Sequence, residues 1–66
     1  MTCTTRLRFL NEDATPKEVV LDVSKSAVAP IMEWYGAYFA GDTYRVFVDD
    51  TEVAKDQNGQ LVGDLP

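Results

Sequence analysis

Carboxylates are the one reactive group this sequence holds in quantity, and Asp42, Asp49, Asp50, Glu52 and Asp56 crowd a single short stretch. Paired carboxylates run acid–base chemistry when burial raises the pKa of one while its neighbour stays ionised. Asp49 and Asp50 are adjacent, but they fall where a turn is predicted, so both are expected in water and neither is tuned. The sequence has no histidine, the side chain best suited to proton transfer near neutral pH and the commonest metal ligand. Its one cysteine, Cys3, has no histidine to activate it and reads as a small apolar residue at a sheet edge. Asp56-Gln57-Asn58-Gly59 has the opening of a calcium loop but lacks the further ligands and the closing glutamate, so it reads as a turn. No glycine-rich phosphate loop occurs. A chain of 66 residues also has little room for a pocket of several hundred Å³. The expectation is a protein that is not an enzyme, with no catalytic residues, no cofactor and no metal.

The elements that position these groups follow from hydrophobic period. Thr2 to Leu10 alternates, with Cys3, Thr5, Leu7 and Phe9 on one face and Thr4, Arg6 and Arg8 on the other, which predicts a half-buried strand. Asn11 to Pro16 is loop chemistry. Lys17 to Val23 alternates again, with Val19, Leu21 and Val23 inward. Val28, Ile31, Met32, Tyr35 and Phe39 then form one helical stripe, predicting a helix over Ala27–Ala40. Ser24 or Ser26 is expected to cap its start, Pro30 to lie near its first turn, and Gly41 to close its end. Gly36 falls mid-helix, at a cost of about 1 kcal/mol relative to alanine, and close packing against either the sheet or the partner would account for it. Tyr44, Val46 and Val48 alternate with Arg45, Phe47 and Asp49. A tight turn over Asp49–Glu52, a return strand over Val53–Lys55, a second turn over Asp56–Gly59 and a last edge strand over Gln60–Val62 complete the predicted elements. The predicted fold is α+β: a single domain over 1–66, order β-β-α-β-β with a possible fifth strand, one helix on an antiparallel sheet of four to five strands. The expected core is Leu7, Phe9, Val19, Leu21, Val23, Val28, Ile31, Met32, Tyr35, Phe39, Val46 and Val48.

Charge narrows the partner. The chain carries a net −5. Residues 1–25 balance four basic against four acidic side chains, while residues 26–66 hold two basic against seven acidic. Such a field repels nucleic acid and favours basic surfaces, although a negative surface also serves solubility alone. Carboxylates two residues apart on a strand lie about 6.7 Å apart, close to two base steps of DNA, so an acidic meander can imitate a phosphate track. Ordinary acidic turns read the same way. A second surface is aromatic: Trp34 and Tyr38 flank the helical stripe beside Glu33, and exposed Trp and Tyr are frequent interface anchors. Roofing a small sheet accounts for them more simply. No apolar run approaches a membrane span, the N-terminus shows no secretory h-region, and one cysteine allows no internal disulfide. A monomer in a reducing cytoplasm is expected.

The β-β-α-β-β order, the helix Ala27–Ala40 and the acidic meander Asp42–Asp56 together resemble the small acidic inhibitors encoded by phages and mobile elements. Within that group the chain is most similar to anti-CRISPR proteins that oppose type I (Cascade-type) effectors. Uracil-DNA glycosylase inhibitors share the acidic design. The resemblance covers most of the chain but is architectural. It implies stoichiometric binding to the basic DNA-recognition surface of a Cas effector subunit, or another nucleic-acid-binding protein, in place of DNA. A small structural or assembly module remains the alternative.

Overall fold

The computed structural model describes residues 3–65. Thr2, where the first strand was expected to begin, lies outside the described residues. The chain forms β1 (Thr5–Asn11), β2 (Glu18–Val23), α1 (Lys25–Gly36), β3 (Tyr44–Val48) and β4 (Thr51–Glu52). All pairings are antiparallel and the sheet runs β2-β1-β3-β4, so β1 and β3 are central. The predicted α+β class and element order hold. The fifth strand reduces to a bridge between Lys55 and Leu61.

Alternation sets the two faces of the sheet. Thr5, Leu7, Phe9 and Asn11 of β1 and Tyr44, Val46 and Val48 of β3 all point under the helix and are buried. Helix spacing supplies the other half of the core through Val28, Met32 and Tyr35, with Ile31 and Phe39 half-buried beside them. Phe9, Tyr35, Phe39 and Tyr44 form one aromatic cluster, Phe9 and Tyr35 stacked at 4.0 Å and Tyr35 and Phe39 at 4.7 Å. Burying side chains of this size stabilises a small domain more than any other available contact.

Four expectations are corrected. Leu21 faces the helix side but is 39% exposed, because α1 lies over the central strands and does not reach across β2. The helix stops at Gly36, not Ala40: Ala37 N–H still bonds back to Glu33 and Trp34, but Tyr38 and Phe39 N–H both turn to the Tyr35 carbonyl. Gly36 is therefore a terminal residue, and Gly41 is no cap. Both glycines instead admit the 56–59 turn, since a Cβ on Gly36 would lie 2.2 Å from the Asn58 carbonyl oxygen and one on Gly41 2.7 Å from that of Asp56. Pro30 sits inside the helix, in its second turn, where it deletes one backbone bond. Ser24 occupies the N-cap position but makes no side-chain cap bond; its hydroxyl meets that of Ser26 at 3.2 Å.

The hairpin between β3 and β4 uses two residues, Asp49 and Asp50, at φ 49° and 68°. Positive φ at both central positions is the turn whose twist matches a tight hairpin, and aspartate tolerates it better than most residues. The turn is thus shorter than expected, and Thr51 and Glu52 already belong to the return strand.

These contacts fix the sign of two mutations. Alanine in place of glycine ordinarily stabilises a helix, yet Gly36→Ala is expected to lower the urea midpoint here because it displaces the 56–59 turn. Met32→Ala, fully buried, should cost about 2–5 kcal/mol, whereas Leu21→Ala should cost clearly less. Equal losses for Met32 and Leu21 in urea unfolding would show that the helix covers β2 after all.

Candidate functional site

The five meander carboxylates do not form a continuous track. Asp49 and Asp50 sit at one end of β3, while Asp42 and Asp56 lie at the other, where the Asp56 carbonyl approaches Gly41. Three of the five are also engaged within the chain. The Asp49 carboxylate accepts the Thr5 hydroxyl and, at 2.9 Å, the Arg6 backbone N–H. Those bonds hold its pKa below the ordinary aspartate value, the Arg6 N–H contributing most. Glu52 takes a bidentate pair from Arg45, 2.9 Å at both contacts, which depresses its pKa and raises that of the guanidinium. The Asp56 carboxylate accepts the backbone N–H groups of Asn58 and Gln60 at 2.8 and 3.0 Å, closing the last turn. Asp42 and Asp50 are exposed and make no hydrogen bond or ion pair among the described residues. All five carboxylates are solvent-exposed as expected, but Asp49, Glu52 and Asp56 brace the hairpin and turn they belong to.

The aromatic surface is more concentrated. Trp34 is 62% and Tyr38 69% exposed, far beyond the other aromatic side chains. Their rings touch at 5.1 Å, tilted by 60°. The same helix end that ties down Tyr35 puts them there, one turn apart, on the flank of α1 above β2. Between them and β2 runs an open groove of about 390 Å³ lined by Pro16, Val19, Trp34, Tyr35, Tyr38 and Phe39. The expectation that so short a chain lacks concave space is corrected on this point, although the space is a groove and not an enclosed pocket. Tyr38 is a ridge. On one side it borders a second groove with Glu33 and the 57–60 turn, and on the other a third with Asp13 and Ala14.

A buried polar bond fixes the groove floor. The Tyr35 hydroxyl donates to the Asn11 side-chain oxygen, and the Asn11 amide donates to the Pro16 carbonyl at 2.7 Å. Asn11 is 4% exposed, so its amide needs both partners. The loop 12–17 is thereby pinned to the helix, with Lys17 Nζ on the Glu12 carbonyl at 2.8 Å closing it. Tyr44, beneath, has its pKa raised by burial first and by the nearby Tyr35 and Asp56 second.

Of the residues singled out from sequence, Glu33, Trp34 and Tyr38 come together, and Asp42, Asp49, Asp50, Glu52 and Asp56 divide between two ends of a hairpin. Pro16 and Val19 complete the groove, Asp13 borders the one beside it, and none of the three was named as partner-binding. The loop's chain distance from the helix hid them, and the buried Asn11 was the one signal. Among the described residues no group of carboxylates, cysteine and histidine is placed to hold a metal, and no helix is long and apolar enough to cross a membrane. No protein-family model, curated protein or solved structure matches the chain.

The bonded carboxyls predict acid sensitivity. Asp49 and Glu52 have folded pKa values below their ordinary ones, so their contribution is present above the ordinary carboxylate range and is lost as pH falls through the folded values. Asp49→Asn removes part of that dependence. Its stability, followed by urea midpoint against pH, is expected to fall less steeply on the acid side than that of the native chain. An unchanged acid limb would mean that the Thr5 and Arg6 contacts do not hold the carboxylate in solution.

Proposed function

We propose that this chain is a non-catalytic, stoichiometric inhibitor that binds the basic DNA-recognition surface of a nucleic-acid-binding protein, as anti-CRISPR proteins against type I effectors do, acting as a monomer in the bacterial cytoplasm. The observation that carries the reading is the exposed Trp34–Tyr38 pair above an apolar groove and flanked by Glu33 and Asp13. An aromatic centre with a charged rim is the arrangement by which protein interfaces concentrate affinity in a few anchors. The net −5 charge supplies steering toward a basic partner. Asp42 and Asp50 are the meander carboxylates left free to add to that field, Asp49 and Asp56 contribute charge from positions fixed by neutral donors, and Glu52 is largely cancelled by Arg45. DNA mimicry enters this reading as the long-range attraction, with the aromatic groove as the contact.

Plaque formation by a targeted phage on cells with an active type I CRISPR system, with each variant expressed, is the test. The native chain is expected to protect the phage. Trp34→Ala with Tyr38→Ala should abolish protection while leaving the thermal melt nearly unchanged, since interface anchors of this kind contribute about 2 kcal/mol or more each. Asp42→Lys with Asp50→Lys should weaken protection and make partner binding less salt-sensitive. Absence of protection by the native chain would end the anti-CRISPR assignment.

A further inference from the structure

The strand at the edge of the groove is itself incomplete. β2 is six residues long, contains no proline, and lies at the end of the sheet order with β1 as its one neighbour among the described residues. The Asn11 N–H donates to the Lys17 carbonyl at 2.8 Å, which sets the phase of the ladder. Lys17, Val19, Leu21 and Val23 therefore bond to β1, and the backbone N–H and C=O groups of Glu18, Val20 and Asp22 point outward from the edge. The side chains on the helix side repeat the pattern. Their row partners in β1, Leu7 and Phe9, are fully buried, yet Leu21 is 39% exposed and Val19 and Val23 are half-buried. A row of strand side chains facing a helix is ordinarily covered, and here Trp34 stands over the gap without filling it.

We propose that β2 accepts an extended segment of the partner protein as a fifth strand, laid into the groove between β2 and α1. The added backbone takes up the outward groups of Glu18, Val20 and Asp22, the mode by which peptides extend exposed sheet edges. Alternation dictates the chemistry of that segment. Side chains on its inner face meet Val19, Leu21 and Trp34 and are apolar. Those on its outer face lie beside Glu18, which already pairs with Arg8 at 3.0 Å, and Asp22, which stands opposite Arg6; with that face near neutral, it is the net −5 of the whole chain that favours lysine or arginine there. A second copy of this chain fits poorly, because antiparallel pairing centred on Val20 sets Glu18 against Asp22 at both ends. This inference rests on the groove being the contact surface in the proposed function and names the partner element it receives.

A blocked peptide of alternating lysine and valine, as long as β2, is the probe, and its glutamate–valine counterpart is the control. Amide exchange followed by NMR is expected to slow at Val20 and Asp22 with the lysine peptide and not with the glutamate one. Val20→Pro removes an outward N–H while sparing the bonds to β1 and should weaken binding about tenfold. Should that variant unfold, Glu18→Lys with Asp22→Lys serves in its place and should reverse the preference between the two peptides. No binding, or binding with unchanged exchange at Val20 and Asp22, overturns the inference; protection of those amides by self-association in the absence of peptide overturns the choice of partner. The two readings fail separately. Loss of phage protection in Trp34→Ala with unprotected β2 amides sinks strand addition alone, whereas protected amides in a chain that gives the phage no protection sink the inhibitor assignment alone.

Discussion

A single helix of twelve residues has to cover one face of a four-stranded sheet, and it is too narrow for the task. An α-helix is about 10 Å across with its side chains, while four strands spaced about 4.8 Å apart present a wider surface. Placed over β1 and β3, α1 seals the central rows completely and leaves both margins to be managed in other ways. Most of the molecule's individuality comes from how each margin is handled. On the β4 side the chain's own last turn moves in against the helix, which requires Gly36, Gly41 and Gly59. Gly59 combines φ 82° with a Cβ position 2.2 Å from the Tyr44 hydroxyl, so neither the backbone nor the space suits another residue. On the β2 side nothing in the described residues moves in. Trp34 and Tyr38 stay exposed and line the groove with half-buried Val19, and Leu21, 39% exposed, lies along the same margin.

The uncovered face of the sheet shows that exposure by itself is not the signal. It carries Leu10, Val20 and Phe47, yet Arg8 and Arg45 lie across the Phe47 ring at 4.6 and 5.5 Å. The two guanidinium groups are held by Glu18 at 3.0 Å and Glu52 at 2.9 Å. Exposed pairs of this kind contribute little to stability, about 0–1 kcal/mol each. Their effect is coverage, because the arginine stems and planar heads shield the ring while the carboxylates keep the face close to neutral. All three arginines of the chain project on this side of the sheet, Arg6 opposite Asp22 in register. The aromatic edge of α1 receives no such cover.

Element order, the faces of β1 and β3 and the helical stripe were legible because burial there is decided by period alone. Leu7, Phe9, Val28, Met32, Tyr35, Val46 and Val48 are buried as their spacing requires. Leu21 has the same spacing and a different fate, since alternation reports which face a residue takes and not whether anything lies above it. Helix length failed for a related reason. The apolar spacing continues to Phe39, but Gly36 is held under Asn58, and the chain turns there while Phe39 still reaches the core. The acidic meander was read as a charge count along the chain. Which carboxylates are occupied depends on Thr5, Arg6 and Arg45, two of which lie more than forty residues from Asp49 in sequence.

That dependence changes what the acidic half of the chain can do. A carboxylate that accepts the Thr5 hydroxyl and the Arg6 N–H has already satisfied part of its hydrogen-bonding capacity, and withdrawing it to meet a partner would loosen the hairpin turn that it secures. Its charge still acts at a distance, because a hydrogen bond from a neutral donor leaves the net charge in place. The Glu52–Arg45 pair is different: its two charges largely cancel beyond a few ångströms. Acidity and contact are therefore separable in this molecule. The negative field comes from the whole second half, while the groups open to short-range contact are Trp34 and Tyr38, which line the groove with Val19, and the outer edge of β2 beside it. Under the proposed function, a basic partner attracted by the field would find its apolar footing there, where the sheet runs out of helix to cover it.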